Sequence, residues 1–226
     1  MTNSQKTQIF DNRERLAKAY MIAKNRLIEL GYEDEIDWQY DVSLDNLNES
    51  MLLEESAWVI LNSGMKETVI RKRFHLISNA FNNWESSNYI NQNSVSCRNK
   101  ALTYFNHKPK IDAIIEIAKR ISDIGFSAVF SQIKDHGIKY LKQFPFLGPI
   151  TSIHLAKNIG LKVAKPDRHL KRLAFILGYE NVQDLCENIS IITEDPVPVI
   201  DIVLWRFSTI YKTKIIAFAT GMNKYV

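Results

Sequence analysis

Two prolines and a glycine fall within five residues in the stretch Phe144–Pro149 (FPFLGP). These helix-breaking residues constrain the fold of the chain more than any other feature of the sequence. The stretch separates a lysine-bearing segment that ends at Gln143 from a run with helical spacing over residues 150–156. It predicts a short turn between two helices. Gly148 permits a positive φ or a close backbone approach, and the N-terminus of the second helix offers unpaired N–H groups to a phosphate. An ordinary turn between two core helices is the alternative.

The rest of the chain predicts an all-α fold. No segment alternates apolar and polar residues with β-branched enrichment, whereas apolar residues recur at helical spacing along most of the sequence. We expect residues 32–50 to be acidic and irregular, and residues 83–100 to form a loop or short helix. The predicted helices run from Asp11 to Gly31, over 51–63, 70–81, 111–121, 128–133 and 170–177, and from an N-cap at Asp195 through Phe207.

The charge distribution points to an anionic partner. Residues 1–60 carry 12 acidic and 6 basic side chains, which leaves 13 acidic and 23 basic in residues 61–226. A basic surface beside a phosphate-type turn indicates nucleic acid, bound with an affinity that falls as salt rises. A generic basic surface is the alternative.

Composition narrows the class of protein. At 226 residues and 46% hydrophobic content, the chain can form one large domain or two small ones with a sizeable core. The two cysteines, Cys97 and Cys186, are far apart and indicate no disulfide scaffold and no zinc or iron–sulfur centre. We expect no cofactor, no metal and no membrane segment, and a cytoplasmic location, associated with the nucleoid if the source is bacterial.

The turn and a later motif together resemble the helix-hairpin-helix (HhH-GPD) DNA glycosylases. That family has a Leu-Pro-Gly-Val-Gly turn, followed after a helix by Asp-x-His; here the turn is 144–148, with Phe146 in place of one glycine, and the motif is Asp167-Arg168-His169. The resemblance implies a two-lobed helical bundle with the active-site cleft between the lobes. Residues 51–165 would form the central lobe with the hairpin, and residues 1–50 plus 166–226 the second lobe. Several members of the family carry a four-cysteine cluster near the C-terminus; this sequence lacks those cysteines, so no cluster is expected.

The resemblance also implies an activity. The protein would be a DNA N-glycosylase of base excision repair or of defence against foreign DNA, a monomer acting on double-stranded DNA that contains a damaged or hypermodified base. It would flip the base out, and Asp167 would stabilise the oxocarbenium-like state and activate water. Bifunctional members carry a lysine two residues after the last hairpin glycine. Because Ile150 stands there, the enzyme would be monofunctional and leave an abasic site.

The predicted site residues fall into three groups. Asp167 is the catalytic candidate, although it is also placed to cap the following helix. Trp38 and Tyr40 have an alternative role in filling a domain interface. The contacts expected on the DNA backbone are Phe146, Leu147, Gly148, Ile150, Thr151, Lys108, Lys110, Lys165, Arg168 and His169, and those of the base pocket or wedge are Trp38, Tyr40, Trp58, Asn62 and Met65, with Trp205 a further candidate for the pocket wall.

Two other functions fit the same sequence. A non-catalytic DNA-binding module would use the turn for sequence-independent grip and would not need Asp167. A helical protein-interaction scaffold would have no salt-dependent affinity for DNA at all.

Overall fold

The computed structural model describes the backbone of residues 3–212 and the side chains of residues 13–212. Every regular element in this part of the chain is helical, which confirms the all-α prediction. Short 3-10 turns at Leu44–Asn46 and Asn82–Trp84 accompany the α-helices. In chain order the α-helices are α1 Asn3–Glu29, α2 Glu33–Asp41, α3 Glu49–Asn62, α4 Glu67–Ala80, α5 Ser87–Gln92, α6 Ser94–Tyr104, α7 Lys108–Ile124, α8 Phe126–His136, α9 Ile138–Leu141, α10 Pro149–Asn158, α11 Arg168–Ile176, α12 Val182–Thr193 and α13 Val197–Tyr211.

The chain divides into two compact units. Unit 1 comprises residues 1–42 and 162–226, and unit 2 comprises residues 43–161. Unit 2 begins earlier than residue 51 because its last residues pack on residues 43 and 44. Gly160, at φ +97°, lies so close to the backbone of Ser43 and Leu44 that a Cβ atom there would overlap both.

Unit 1 packs α1, α2, α11, α12 and α13 around one apolar core. The core residues come from both ends of the sequence and include Tyr20, Leu27, Ile36, Leu170, Leu185, Ile200 and Leu204. Helix α2 replaces the irregular segment that the sequence predicted. Only Ile36 and Gln39 of α2 are buried, so the helix has no apolar stripe to reveal it. Acidic residues in its first turn favour the helix through its dipole.

Unit 2 packs α3 to α10 around a second core, which includes Ile60, Phe81, Trp84 and Ile111. The Trp84 ring stacks on Phe81 with 4.9 Å between ring centroids, and its Nε1 donates a 2.9 Å hydrogen bond to Ser78 Oγ. Residues 87–104 form two helices, α5 and α6, where a loop or short helix was expected. Few residues of α5 and α6 face the core, so their sequence is mostly polar and shows no helical pattern of apolar residues.

Candidate nucleic-acid interface

The turn between α9 and α10 is anchored by two buried apolar side chains. Phe144 and Leu147 are both buried, whereas Phe146 between them is 42% exposed. Of the two roles open to Gly148, the positive φ is not used: Gly148 has φ −76° and is the N-cap of α10, and the positive φ of the turn is that of Phe146, at +64°. The burial of Leu147 also excludes its side chain from a direct DNA contact, so only its backbone remains available.

Helix α10 begins at the surface with unpaired N–H groups. Gly148 and Ile150 are exposed, and the backbone N–H groups of Gly148, Ile150 and Thr151 donate to no acceptor within the described residues. The first helical bond is that from Ser152 N–H to Gly148 O, at 3.0 Å. Thr151 Oγ1 donates to the carbonyl oxygens of Phe146 and Gly148, at 3.2 and 3.3 Å, and so braces the turn. The arrangement suits a phosphate oxygen.

The start of α7 lies beside this turn. The His107 ring meets the Phe146 ring edge-on with 6.2 Å between centroids, and it stacks on Phe105 at 6.0 Å. Lys108, the next residue, is exposed, as a phosphate contact requires. We call residues 105–108 and 144–151 the hairpin face.

Lys110 does not belong to this surface, and its prediction as a phosphate contact is wrong. Only 3% of the residue is exposed, and its Nζ donates to Leu61 O at 2.7 Å and Ser63 O at 2.6 Å. The ammonium therefore caps the C-terminal end of α3, and burial lowers its pKa.

The wedge candidates near the end of α3 differ in availability. Met65 is 41% exposed, in the turn after the helix. Asn62 donates through Nδ2 to Trp58 O at 3.0 Å, so its amide folds back on its own helix. The Trp58 ring packs edge-on against Phe74, with 5.1 Å between centroids, and under the Arg71 guanidinium. Trp58 thus belongs to the aromatic packing of unit 2.

Arg120 of α7 braces the turn, a role that the sequence did not reveal. Its guanidinium donates to Gln143 O at 3.3 Å and to Gln143 Oε1 at 3.0 Å. It also lies over the rings of Tyr140 and Phe144, at 4.9 and 5.3 Å from their centroids. These contacts join residues 20 or more positions apart, and no local pattern encodes them.

In unit 1, Asp167 caps α11, which was the alternative reading of this residue. Its Oδ1 accepts hydrogen bonds from the backbone N–H groups of His169 and Leu170, at 2.8 and 2.9 Å. The other oxygen, Oδ2, has no bond within the described part of the chain, and the residue is half-buried. One oxygen fixes the carboxylate while the other remains available for chemistry.

The segment before Asp167 is held by two side chains that the sequence did not single out. The Lys165 N–H donates to Oδ1 of the buried Asp201 at 2.8 Å, and the Ala164 N–H donates to Gln183 Oε1 at 2.8 Å. The half-buried Lys165 is therefore fixed at its backbone. Immediately after Asp167, Arg168 is exposed, and its Nε lies 3.3 Å from His169 Nε2.

Tyr40, a candidate for the base pocket, belongs to a polar cluster that the sequence did not predict. Asp195 Oδ2 accepts from Tyr20 Oη at 2.5 Å and from Lys24 Nζ at 2.7 Å, and Asp195 Oδ1 accepts from Tyr40 Oη. Lys24 Nζ also donates to Tyr40 Oη at 2.7 Å. The N-cap of α13 is Pro196 rather than Asp195, and the Asp195 carboxylate bonds within this cluster instead.

The protonation states of Asp195 and Lys24 favour a structural role for the cluster. Burial raises the pKa of Asp195, but hydrogen bonds from Lys24 and the two tyrosines outweigh burial and leave it below its ordinary value. Burial lowers the pKa of Lys24, yet its bonds to Asp195 and Tyr40 leave it raised. The cluster therefore pairs a charged lysine with a carboxylate that accepts three hydrogen bonds, which suits a structural role. Trp38, 42% exposed, lies next to this cluster in sequence, and Trp205 packs under Arg206, 4.6 Å from its guanidinium.

Comparison with known proteins gives no family assignment. No protein-family model, curated protein or solved structure gives a significant match to this chain. The likeness to the glycosylases therefore rests on the turn and the Asp-x-His motif alone. Among the described helices, none is long and apolar enough to cross a membrane.

Proposed function

We propose that the protein is a monofunctional DNA N-glycosylase that excises a modified base and leaves an abasic site. The support is the presence in one chain of an exposed helix start with three unpaired N–H groups, at Gly148, Ile150 and Thr151, and of a carboxylate, Asp167, with one oxygen fixed and one free. The first feature suits a DNA phosphate, and the second suits a sugar that becomes positively charged.

In this proposal the chemistry needs only water and the carboxylate. The bond from C1′ to the base nitrogen breaks, and its electron pair leaves with the base. Asp167 Oδ2 stabilises the positive charge that develops on the sugar and accepts a proton from the water whose oxygen bonds to C1′. That proton then passes through solvent to the departed base, which neutralises the base and restores the carboxylate. The hydrogen bonds to Oδ1 hold the carboxylate in place during these steps. Ile150 offers no amine, so no imine forms with the opened sugar.

The capping role of Asp167 allows a clean separation of fold from chemistry. Asparagine caps helices about as well as aspartate, whereas alanine costs about 1 kcal/mol. Asp167→Asn should therefore melt at the wild-type temperature but no longer excise the base. Asp167→Ala should melt at a lower temperature and also no longer excise the base. Asn181 provides the matched control, since its Oδ1 accepts from the Asp184 N–H at 2.9 Å and caps α12. Asn181→Ala should lose stability like Asp167→Ala but keep excision.

Excision is measured on duplexes that carry a panel of damaged and hypermodified bases, which alkali cleaves at abasic sites. Mass spectrometry of bases released from diverse genomic and phage DNAs extends the panel. Excision by Asp167→Asn equal to wild type would show that the catalytic assignment is wrong. A covalent complex trapped by borohydride would contradict the monofunctional mechanism.

The non-catalytic DNA-binding module remains the second candidate, because the capping bonds alone give Asp167 a structural reason to be there. It predicts no excision by wild type on any substrate. In both cases Gly148→Val should weaken DNA binding while the fold survives. Gly148 has an ordinary φ, and a Cβ atom there would meet nothing closer than Thr151 Oγ1 at 3.9 Å.

A further inference from the structure

Phe146 combines an unfavourable backbone conformation with an exposed aromatic ring. Its φ of +64° lies in the left-handed region, which is disfavoured for residues with a Cβ atom and especially for bulky ones. At the same time 42% of the residue is exposed, so burial of the ring only partly offsets the conformation.

Trp84 in the same unit shows what offsets such a conformation elsewhere. It has the same φ, +64°, but it is 1% exposed, stacks on Phe81 and donates a hydrogen bond to Ser78. Core packing therefore explains the backbone of Trp84 and does not explain that of Phe146.

The surroundings fix the Phe146 ring next to a place where a phosphate fits. The His107 ring supports its edge and is itself stacked on Phe105. Thr151 holds the Phe146 carbonyl at 3.2 Å, and the unpaired N–H groups of Gly148 and Ile150 follow within four residues. An aromatic face beside a helix start suits a nucleotide, because the phosphate and the base then meet different partners.

We propose that Phe146 stacks on an unpaired base of DNA whose phosphate is bound by the start of α10, so that the hairpin face prefers DNA with an unstacked nucleotide to an intact duplex. The proposal rests on the proposed function for its DNA partner. In an intact duplex both faces of a base are covered by neighbouring bases, and a protein ring can reach such a face only where stacking is interrupted.

The test measures binding by fluorescence anisotropy, with Asp167→Asn as the parent so that no substrate is consumed. The probes are an unmodified duplex, the same duplex with one unpaired nucleotide, and each strand alone. We expect the parent to bind the interrupted duplex on the order of tenfold more tightly than the intact one, which is the scale of one base–aromatic stack. Adding Phe146→Tyr should keep this preference.

Phe146→Gly and Phe146→Leu should remove the preference, so that each variant binds the intact and the interrupted duplex with affinities within about twofold of each other. Glycine at position 146 adopts the positive φ without strain. Loss of the preference in Phe146→Gly would therefore not reflect a folding defect. Tyr89, 43% exposed elsewhere in unit 2, is the control, and Tyr89→Leu should keep the preference.

The outcomes separate this inference from the proposed function. Equal affinity of the parent for intact and interrupted duplexes, or a preference that survives in Phe146→Gly, would overturn the role of Phe146 even if wild type excises a base. The expected preference in a protein that excises nothing would support the stacking role and contradict the glycosylase. No binding to any probe would overturn both.

Discussion

The Asp195 cluster predicts a large and local loss of stability when the carboxylate is removed. Asp195→Ala leaves Tyr20 Oη, in a residue with 0% exposure, without a partner, and it separates Lys24 from its counter-charge. A buried hydroxyl without a partner costs about 1–3 kcal/mol, and a broken buried ion pair costs about 3–5 kcal/mol. Lys24 keeps its bond to Tyr40 and some water, since its side chain is 15% exposed. We therefore expect a loss of about 3–4 kcal/mol.

The assay must resolve the two units, because a chain of two compact units need not unfold in one step. Native-state hydrogen exchange read by mass spectrometry serves this purpose. Peptides from residues 13–42 and 162–212 should exchange faster in Asp195→Ala, and peptides from 43–161 should not. The control is Asp123→Asn, an exposed carboxyl in α7, which should stay within about 0.5 kcal/mol of wild type. A loss below about 1 kcal/mol in Asp195→Ala would refute the reasoning.

The pH dependence supplies a second check on the same cluster. Because the folded pKa of Asp195 lies below its ordinary value, the carboxylate stabilises unit 1 above the unfolded value of about 3.9, and this contribution is lost as the pH falls through the folded pKa. On the acid side, the difference between wild type and Asp195→Ala should therefore shrink only below about pH 3.9. A difference that already shrinks near neutral pH would contradict the pKa direction.

Three further predictions concern unit 2. Burial raises the pKa of Glu55 to about 7, so wild type loses about 1.4 kcal/mol of stability per pH unit between the unfolded value of about 4.3 and about 7, and the loss is complete above that. Glu55→Gln should therefore match wild type in acid and exceed it in urea unfolding at alkaline pH. Lys110→Met should lower the free energy of unfolding by about 1–3 kcal/mol because two carbonyls lose their donor. Lys108→Met should melt like wild type and bind DNA more weakly. The reverse result would restore Lys110 as a phosphate contact. Gly160→Ala should lower the melting temperature strongly because its Cβ atom overlaps backbone, while Gly148→Ala should not, and equal melting temperatures would contradict the packing of residues 43 and 44.

The sequence predicted those parts of the structure that depend on local periodicity. The apolar spacing in α7 and α13 is strong, and both helices lie where it indicated. Helix α2 was missed because two buried residues do not make a stripe. Asp195 and Lys110 were misread because their partners are distant in sequence: Tyr20 is 175 positions from Asp195, and Leu61 is 49 from Lys110. A capping pattern or a basic residue near a turn carries no information about such partners.

The distribution of charge in the structure also differs from its distribution along the sequence, and this changes where a basic surface is expected. The sequence order suggested a strongly basic C-terminal region, but in the structure residues 162–212 pack with the acidic N-terminal helices. Unit 1 therefore contains 15 basic and 15 acidic residues, and unit 2 contains 14 basic and 10 acidic ones. The net positive charge belongs to the unit that carries the hairpin face, with exposed lysines at 108, 139 and 142.

The salt dependence of DNA binding then distinguishes the two candidate functions. Each phosphate neutralised contributes about −0.9 to the slope of log K against log salt. If DNA contacts only the hairpin face and the exposed Lys139 and Lys142 that precede it, these two lysines and Lys108 give a slope of about −3, and Lys171→Gln in α11 changes nothing. A glycosylase must also bring Asp167 to the sugar, so the exposed Arg168, Lys171 and Arg172 of α11 come near phosphates. The slope then approaches about −5, and Lys171→Gln lowers its magnitude by about one. A slope near zero would exclude DNA as the partner, because neither candidate binds it without releasing counterions.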